Sequence, residues 1–243
     1  MKKNVNLSPN FSKKRRQLKD IKFIIIHYTG MQSEIESLNR LKDKKSKVSA
    51  HYFINRGGKI TQLVKDNKIA WHAGKSKWKN FKNLNKHSIG IELVNKGEEY
   101  GYQNYTKIQI QSLIKLCGKL KKKYLINKEN FLGHSDIAPL RKTDPGKKFP
   151  WKTLSKFKLG YWHDIKIGKN KKEEKNEARN LFFSNLHKIG YRYFSLRRKT
   201  QNDKYLIKAF QLRYLPNRVN GKIDEKTLNI SSNLVYQCKI LDK

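Results

Sequence analysis

An unbroken apolar run, residues 23–26, constrains the fold of this chain more than any other feature. It lies inside the segment 21–28 (IKFIIIHY), which does not alternate between apolar and polar positions. A strand with one face exposed to solvent alternates between apolar and polar residues, whereas a strand covered on both faces does not. We therefore predict a strand at the centre of a sheet, with other elements packed on both sides. The run is far shorter than the roughly 20 apolar residues of a membrane-spanning helix, so no such helix is predicted.

Patterns farther along the chain predict a β-rich, helix-covered α/β domain that ends near residue 160. The predicted elements are a helix around 35–41, a hairpin of 49–55 and 60–64 around two glycines, a strand at 89–94, a helix at 106–124 and a strand at 131–134. Thr106 is the expected N-cap of the longest helix. A loop that holds three of the five prolines, 135–151, follows the last strand.

The length of 243 residues suits one large and one small domain, at roughly 150 residues per domain. We predict a flexible basic arm at 1–20, the α/β domain at 21–160, a linker at 161–176 and a small helical domain at 177–238. The linker prediction rests on the segment 164–176, which is charged and lacks periodicity. Three helices are predicted in the small domain, at 178–189, at 204–214 and after the capping residue Asp224.

Basic residues dominate the charge balance, with 56 Lys and Arg against 19 Asp and Glu and a net charge of +37. Such a field attracts polyanions, which makes nucleic acid the first partner to consider. The basic residues are scattered through every segment, however, rather than gathered on one helix or stripe. This pattern favours general attraction to anionic polymers over specific nucleic-acid recognition. Two distant cysteines, Cys117 and Cys238, support neither a disulfide framework nor a thiolate zinc site.

Two of the seven histidines, His27 and His134, lie where predicted strands end and the chain leaves the sheet. Asp144 follows His134 by ten positions, in the proline-rich loop. Two neutral imidazoles and one carboxylate suit Zn²⁺, which accepts nitrogen and oxygen donors tetrahedrally. The alternative is structural: a histidine so placed is often simply hydrogen-bonded, and Asp before Pro often starts a turn. Spacing alone leaves both interpretations open.

Five motifs in order across 21–157 resemble one known family. They are residues 24–29 (IIIHYT), 48–54 (VSAHYFI), 70–74 (AWHAG), 88–92 (SIGIE) and 133–146 (GHSDIAPLRKTDPG). Together they are similar to the zinc-dependent N-acetylmuramoyl-L-alanine amidases of the amidase-2 type, of which the AmpD and AmiD branches are the most similar in motif. The superfamily also contains the peptidoglycan recognition proteins. The resemblance implies a mixed central sheet flanked by helices, with zinc bound by His27, His134 and Asp144.

The resemblance also assigns catalytic roles to Glu92 and Lys142. Glu92 lies on an otherwise apolar strand, where burial is costly without a role, so it is the candidate to carry a proton from water to the leaving amine. Lys142, two residues before Asp144, can place positive charge beside a tetrahedral oxyanion. From the residues alone, the alternative for Glu92 is an edge-strand charge, and a solvated loop charge is the favoured interpretation of Lys142.

Three further residues are predicted to lie near the substrate: His72, Trp71 and His51. His72 is expected to line the substrate groove, with Trp71 packing in its loop or stacking on a sugar. His51 alternates with Phe53 along a strand, which favours a packed or hydrogen-bonded histidine close to the site.

The small domain resembles the three-helix peptidoglycan-binding module, through residues 206–214 (LIKAFQLRY) and 221–228 (GKIDEKTL). Wall binding is the function that this resemblance implies. The alternative is that the same pattern reflects helical packing, because Leu206 and Phe210 lie four residues apart on one face.

The motifs together predict zinc-dependent hydrolysis of the amide between (anhydro-)N-acetylmuramic acid and L-alanine of peptidoglycan stem peptides, in cell-wall turnover or recycling. The alternatives are a non-catalytic muropeptide receptor and a nucleic-acid-binding protein. The basic segment 1–19 has no apolar stretch of the kind a secretory signal needs, which makes a cytoplasmic location the expectation. A wall-binding module points instead to an exported enzyme.

Overall fold

A computed structural model describes residues 8–14, 16–165 and 175–241 of the chain. The strands are β1 (Phe11–Ser12), β2 (Phe23–Tyr28), β3 (Tyr52–Ile54), β4 (Ile60–Gln62), β5 (Ile69–Ala70), β6 (Lys77–Trp78), β7 (Phe81–Lys82), β8 (Ser88–Leu93) and β9 (Phe131–Gly133). The α-helices are α1 (Glu34–Lys42), α2 (Lys107–Tyr124), α3 (His134–Ile137), α4 (Trp151–Lys156), α5 (Lys175–Ile189), α6 (Asp203–Tyr214) and α7 (Glu225–Leu241). None of these helices combines the length and the apolar character needed to cross a membrane.

The main sheet has five strands in the order β4-β3-β8-β2-β9. β2 runs parallel to both of its neighbours, β8 and β9, and β3 runs parallel to β8. β4 returns antiparallel to β3 through the predicted hairpin, so the sheet is mixed. The predicted fold class, a mixed sheet flanked by helices with three helices at the C-terminus, is confirmed.

The apolar run on β2 is explained by its two covered faces. Ile24 and Ile26 point into a core shared with α2, where Leu113 is fully buried. Phe23 and Ile25 point to the other face, into a core that includes Phe210 and other residues of α5 and α6. Because each face of the strand meets a helical layer, no position on it is left for a polar residue until His27 near its end.

The C-terminal helices therefore form one layer of the same body. Their buried aromatic residues belong to the core cluster that contains Phe23 and Ile25 of β2. Residues 161, 162 and 165, at the start of the predicted linker, pack against this cluster, and residues 166–174 lie outside the described part of the chain. The domain boundaries proposed from the sequence stay predictions.

The segment before β2 differs from the expected flexible arm. Ser8 is buried and donates to the carbonyl of Leu41, and β1 pairs with β5. Arg16 is 5% exposed, and its guanidinium donates to backbone carbonyls that include those of Asp66 and Ser88. The flexible-arm prediction is thus wrong where this segment contains Ser8, β1 and Arg16, because the folded backbone supplies partners for their polar groups. Residues 1–7 and 15 lie outside the described residues.

Candidate metal centre and active site

The candidate site lies at the carboxyl edge of three parallel strands. His27 is the penultimate residue of β2 and stands opposite Glu92 of β8 in the sheet register. His134 directly follows β9, as the first residue of α3. Because neighbouring parallel strands end at the same edge of a sheet, these three residues meet where ligands bind in α/β folds. The loop after α3 brings Asp144 to the same place.

Three donor atoms converge there. His27 Nδ1 lies 3.0 Å from His134 Nδ1 and 3.0 Å from Asp144 Oδ2, and His134 Nδ1 lies 3.2 Å from Asp144 Oδ2. Two donors bound tetrahedrally to zinc at 2.0–2.1 Å stand about 3.3 Å apart. The nitrogen and oxygen donor set and its spacing therefore fit a zinc ion, and all three residues are buried.

The protonation states also suit a metal. Burial, and then the electrostatic interaction with the neighbouring His134, lower the pKa of His27 to about 4, so the His27 imidazole is neutral near pH 7. Burial alone would raise the pKa of Asp144, but charge and hydrogen bonds from His134 and His27 hold it well below the ordinary range. A neutral imidazole and an ionised carboxylate are the forms that bind zinc.

The outer nitrogens of both histidines meet the segment that contains the AWHAG motif. His27 Nε2 lies 3.0 Å from His72 Nδ1, and His72 Nε2 lies 3.2 Å from Ser88 Oγ, which donates to the carbonyl of Leu84. His134 Nε2 lies 3.3 Å from the carbonyl oxygen of Ala73. Hydrogen bonds of this kind fix the tautomer and the ring orientation of a metal-binding histidine.

This segment is itself held in place by Asn85 and Arg141, two residues that the sequence analysis missed. Asn85 Oδ1 accepts from the backbone N–H groups of His72 and Ala73. Arg141 Nη2 donates to the carbonyls of Ala73 and Lys75. Arg141 lies inside the longest of the quoted motifs, one residue before Lys142, and that position was the available signal.

Glu92 lies in the site without a hydrogen-bond partner among the described residues for its buried Oε2. Burial, and then the negative charge of Asp144, raise the pKa of Glu92 well above the ordinary value, and Lys142 opposes the shift. A carboxyl group in this state exchanges its proton near neutral pH more readily than an exposed one. Lys142 is exposed, and both residues line the same cavity.

That cavity has a volume of about 510 Å³ and contains the three ligand residues in its wall. Trp71 and His72 also line it, while substrate contact by either stays a prediction. Both ring nitrogens of His72 already have protein partners, which favours a positioning role. His51 is fully buried, and its ring nitrogens contact the N–H of Gly90 and the guanidinium of Arg16. The structure thus shows the packed, hydrogen-bonded histidine that the strand pattern favours, and it gives no support to substrate contact by His51, which is not among the residues that line this cavity.

Comparisons with known proteins agree with this geometry. Residues 17–147 match the family described as N-acetylmuramoyl-L-alanine amidase (Amidase_2). The chain is 34% identical over 230 residues to the N-acetylmuramoyl-L-alanine amidase AmiD of Escherichia coli, which covers 88% of this chain and 82% of that protein. It is 37% identical over 162 residues to the 1,6-anhydro-N-acetylmuramyl-L-alanine amidase AmpD of Haemophilus influenzae, over 59% of this chain and 85% of that one.

Solved structures give the same relationship. The structure of E. coli AmiD in complex with the substrate anhydro-N-acetylmuramic acid-L-Ala-D-γ-Glu-L-Lys superposes with a TM-score of 0.79 at 32% identity, over 93% of this chain and 92% of that one. AmpDH3 of Pseudomonas aeruginosa superposes with a TM-score of 0.78 at 28% identity, over 93% and 94% of the two chains.

Proposed function

The chain belongs to the Amidase_2 family of N-acetylmuramoyl-L-alanine amidases, and from that premise we propose that it is a zinc-dependent hydrolase of muramyl peptides. The resemblance in the five motifs is thereby confirmed, and the protein is an enzyme of the amidase class. The proposed reaction is hydrolysis of the amide between the lactyl group of (anhydro-)N-acetylmuramic acid and L-alanine. Its proposed place is cell-wall turnover or recycling.

The observation that carries the zinc proposal is the convergence of His27 Nδ1, His134 Nδ1 and Asp144 Oδ2 within 3.2 Å of one another. Two imidazole nitrogens and one carboxylate oxygen form a donor set that zinc accepts, and their spacing is that of donors around one tetrahedral ion. When bound, zinc supplies Lewis-acid chemistry, which activates water near neutral pH and polarises a carbonyl group.

The chain's own residues carry the proton and the developing charge. Glu92 Oε2, which has no competing partner among the described residues, takes a proton from the attacking water and delivers it to the leaving amine. The Lys142 ammonium, on the same cavity wall, places positive charge near the oxyanion that forms at the scissile carbonyl. Their assignment rests on this placement and on the family motif.

The cavity wall carries charges of both signs. Arg40, Lys96, Arg141 and Lys142 line it together with Glu92, Glu98, Glu99 and Asp144. The net charge of +37 on the whole chain should speed the encounter with a carboxylate-bearing stem peptide more than it tightens binding. The substrate class is proposed from the relatives, since AmiD and AmpDH3 are described in complexes with an anhydromuramyl peptide. A cytoplasmic location remains a proposal, which cell fractionation with an antibody against the chain would test.

The test is mass spectrometry of products after incubation with defined muropeptides that end in either anhydro or ordinary N-acetylmuramic acid. We expect free stem peptide to appear, to stop with a chelator and to return with added zinc. The preference between the two sugars separates recycling from wall turnover. Bound but uncleaved muropeptide at every zinc concentration would instead identify a receptor, and would contradict the roles given to Glu92 and Lys142.

A further inference from the structure

The turn that carries His134 also carries a buried carboxylate with partners from both halves of the chain. Asp136, two residues after His134 in α3, is 1% exposed. Its Oδ2 accepts from the backbone N–H of Gly133 at 2.8 Å, which closes the turn around the histidine. The N–H of Ser135 donates to the carbonyl of Asp144 at 2.9 Å. One short turn thus holds one candidate ligand and contacts the backbone of another.

The remaining partners of Asp136 come from the C-terminal helical region. Arg213 of α6 pairs with Oδ2 through Nη1, and the Tyr191 hydroxyl donates to Oδ1. The same guanidinium donates through Nη2 to the carbonyl of Phe131 at 3.0 Å, on β9. It lies 4.0 Å over the ring of Trp151 and is 3% exposed. We call Asp136, Tyr191 and Arg213 the brace.

Few local contacts other than the brace fix the orientation of this turn. A four-residue helix is not stable by its own hydrogen bonds, so tertiary contacts set its orientation. The outer nitrogen of His134 has two long contacts, each of 3.3 Å, to the Ala73 carbonyl oxygen and to Arg141 Nη2. A buried ion pair with further hydrogen bonds is, by contrast, a stiff connection.

We propose that the C-terminal helices act as a positioning element for the metal centre, through the brace that orients His134. The inference rests on the proposed zinc amidase function and deepens it. Tyr191 and Arg213 are then positioning residues, and the helical region is more than an accessory that carries the enzyme to its polymer. Coupling is reciprocal, so zinc binding must also favour the docked state of these helices.

The experiment uses the full chain and three variants, Arg213→Met, Tyr191→Phe and Arg179→Met. Arg179→Met is the matched control, because it breaks an ion pair with Asp203 inside the helical region, away from the metal ligands. Zinc affinity is measured by competition with a chromophoric chelator, and the visible spectrum of the cobalt-substituted protein reports ligand geometry. We expect Arg213→Met and Tyr191→Phe to weaken zinc binding by about 10-fold and to shift the cobalt bands, as loss of an orienting partner does.

Arg179→Met should lower thermal stability without either effect. Tyr191→Phe removes one hydroxyl and keeps the ring, so it decides the matter if Arg213→Met fails to fold. Unchanged zinc affinity and cobalt bands in Tyr191→Phe would overturn the proposal, as would an equal loss of affinity in Arg179→Met. Wild-type protein that binds no zinc would instead refute the proposed function, so the two failures are distinguishable.

Discussion

His27 and His134 offer the same atom to the same centre, yet they are held from opposite halves of the chain. His27 lies on a strand paired on both sides, and its outer nitrogen lies 3.0 Å from His72. His134 lies at the start of a four-residue helix beyond the edge strand β9. The nearby Asp136 reaches partners 55 and 77 positions away, in the C-terminal region.

The difference shows that two ligands of one metal site can depend on different parts of the fold for their position. The position of His27 is set by the paired strands around β2 and by His72, so it forms with the sheet. The support of His134 requires the C-terminal helices to dock on the other face of that sheet. A change that weakens docking of the C-terminal helices should therefore displace His134 more than His27. This difference can be tested by experiment.

The largest effect is expected from Asp144, whose Oδ2 contacts both His27 and His134. Asp144→Ala removes the acceptor that both imidazoles face, so zinc should be lost from the purified protein. Since the metal contributes several kcal/mol to catalysis, activity should fall by about 10³-fold or more. Zinc content by atomic absorption and the rate of muropeptide cleavage are the measurements.

Asp66→Asn is the matched control, because Asp66 is also a buried carboxylate but bonds Tyr52, Tyr124 and Lys123 away from the site. It should cost stability and retain zinc. Loss of zinc in Asp66→Asn as well would show that any buried carboxylate disturbs the site, and would remove the special role of Asp144.

The next largest effect is expected from Glu92, which lies beside His27 but does not hold either histidine in position. Glu92→Gln keeps the shape and removes the transferable proton, so kcat should fall by about 10²–10⁴-fold. Zinc affinity should stay unchanged, since no ligand loses a partner. A proportionate loss of zinc would place Glu92 in the metal centre instead of in proton transfer.

The same variant has a predicted pH signature in the chelator-treated protein. Burial raises the pKa of Glu92 above its ordinary value of 4.5, so the folded state holds a proton that the unfolded state has lost. This group therefore destabilises the fold increasingly as pH rises from about 4.5. We expect Glu92→Gln to unfold at a higher temperature than wild type at pH 7, with the gap closing at pH 4. No gap at pH 7 would contradict the buried, unpartnered state of Glu92.

The sequence predicted the part of this picture that depends on order along the chain. The unbroken run before His27 required a strand covered on both faces, and motif order placed His134 and Asp144 beside it. These inferences survive because strand ends converge whatever packs around them. The hairpin and the three C-terminal helices follow in the same way, from local turn and periodicity signals.

Long-range partnerships of polar side chains were beyond such reasoning. In the sequence, Arg16 is one more charge in a basic segment. Only the folded structure shows that it donates to the carbonyls of Asp66 and Ser88. Arg213 sits within an ordinary helical pattern, and nothing in that pattern shows that its partner lies beside a metal ligand. The Arg16 partner of His51 was invisible for a related reason, since strand alternation shows which face a residue takes but not what covers that face.

A smaller effect is expected from His72, which tests the local support alone. His72→Gln removes the imidazole that faces His27 Nε2, so zinc affinity should fall by about 10–100-fold. The effect should persist in Tyr191→Phe and add to it, because the two changes act on different ligands. Chelator competition on the two single variants and the double variant measures this, with the exposed His187→Gln as control. A double variant no weaker than either single one would show that both supports act on one element.

The smallest effect is expected from Arg141, which joins the two sides through the Ala73 carbonyl. That oxygen accepts from Arg141 Nη2 and also faces His134 Nε2, and Arg141 Nη2 itself lies 3.3 Å from His134 Nε2. Arg141→Met loosens the segment by one partly exposed hydrogen-bonding group, worth about 0.5–1.5 kcal/mol, so zinc affinity should fall by less than about 10-fold.

The variant also removes a positive charge near a divalent cation, which acts in the opposite direction. Lys75→Met removes an exposed charge from the same segment without losing a contact to Ala73, so it measures that electrostatic part separately. Weaker zinc binding in Arg141→Met than in Lys75→Met assigns the difference to the contacts of Arg141 with the Ala73 carbonyl and with His134, whereas equal binding would leave the brace as the main support of His134.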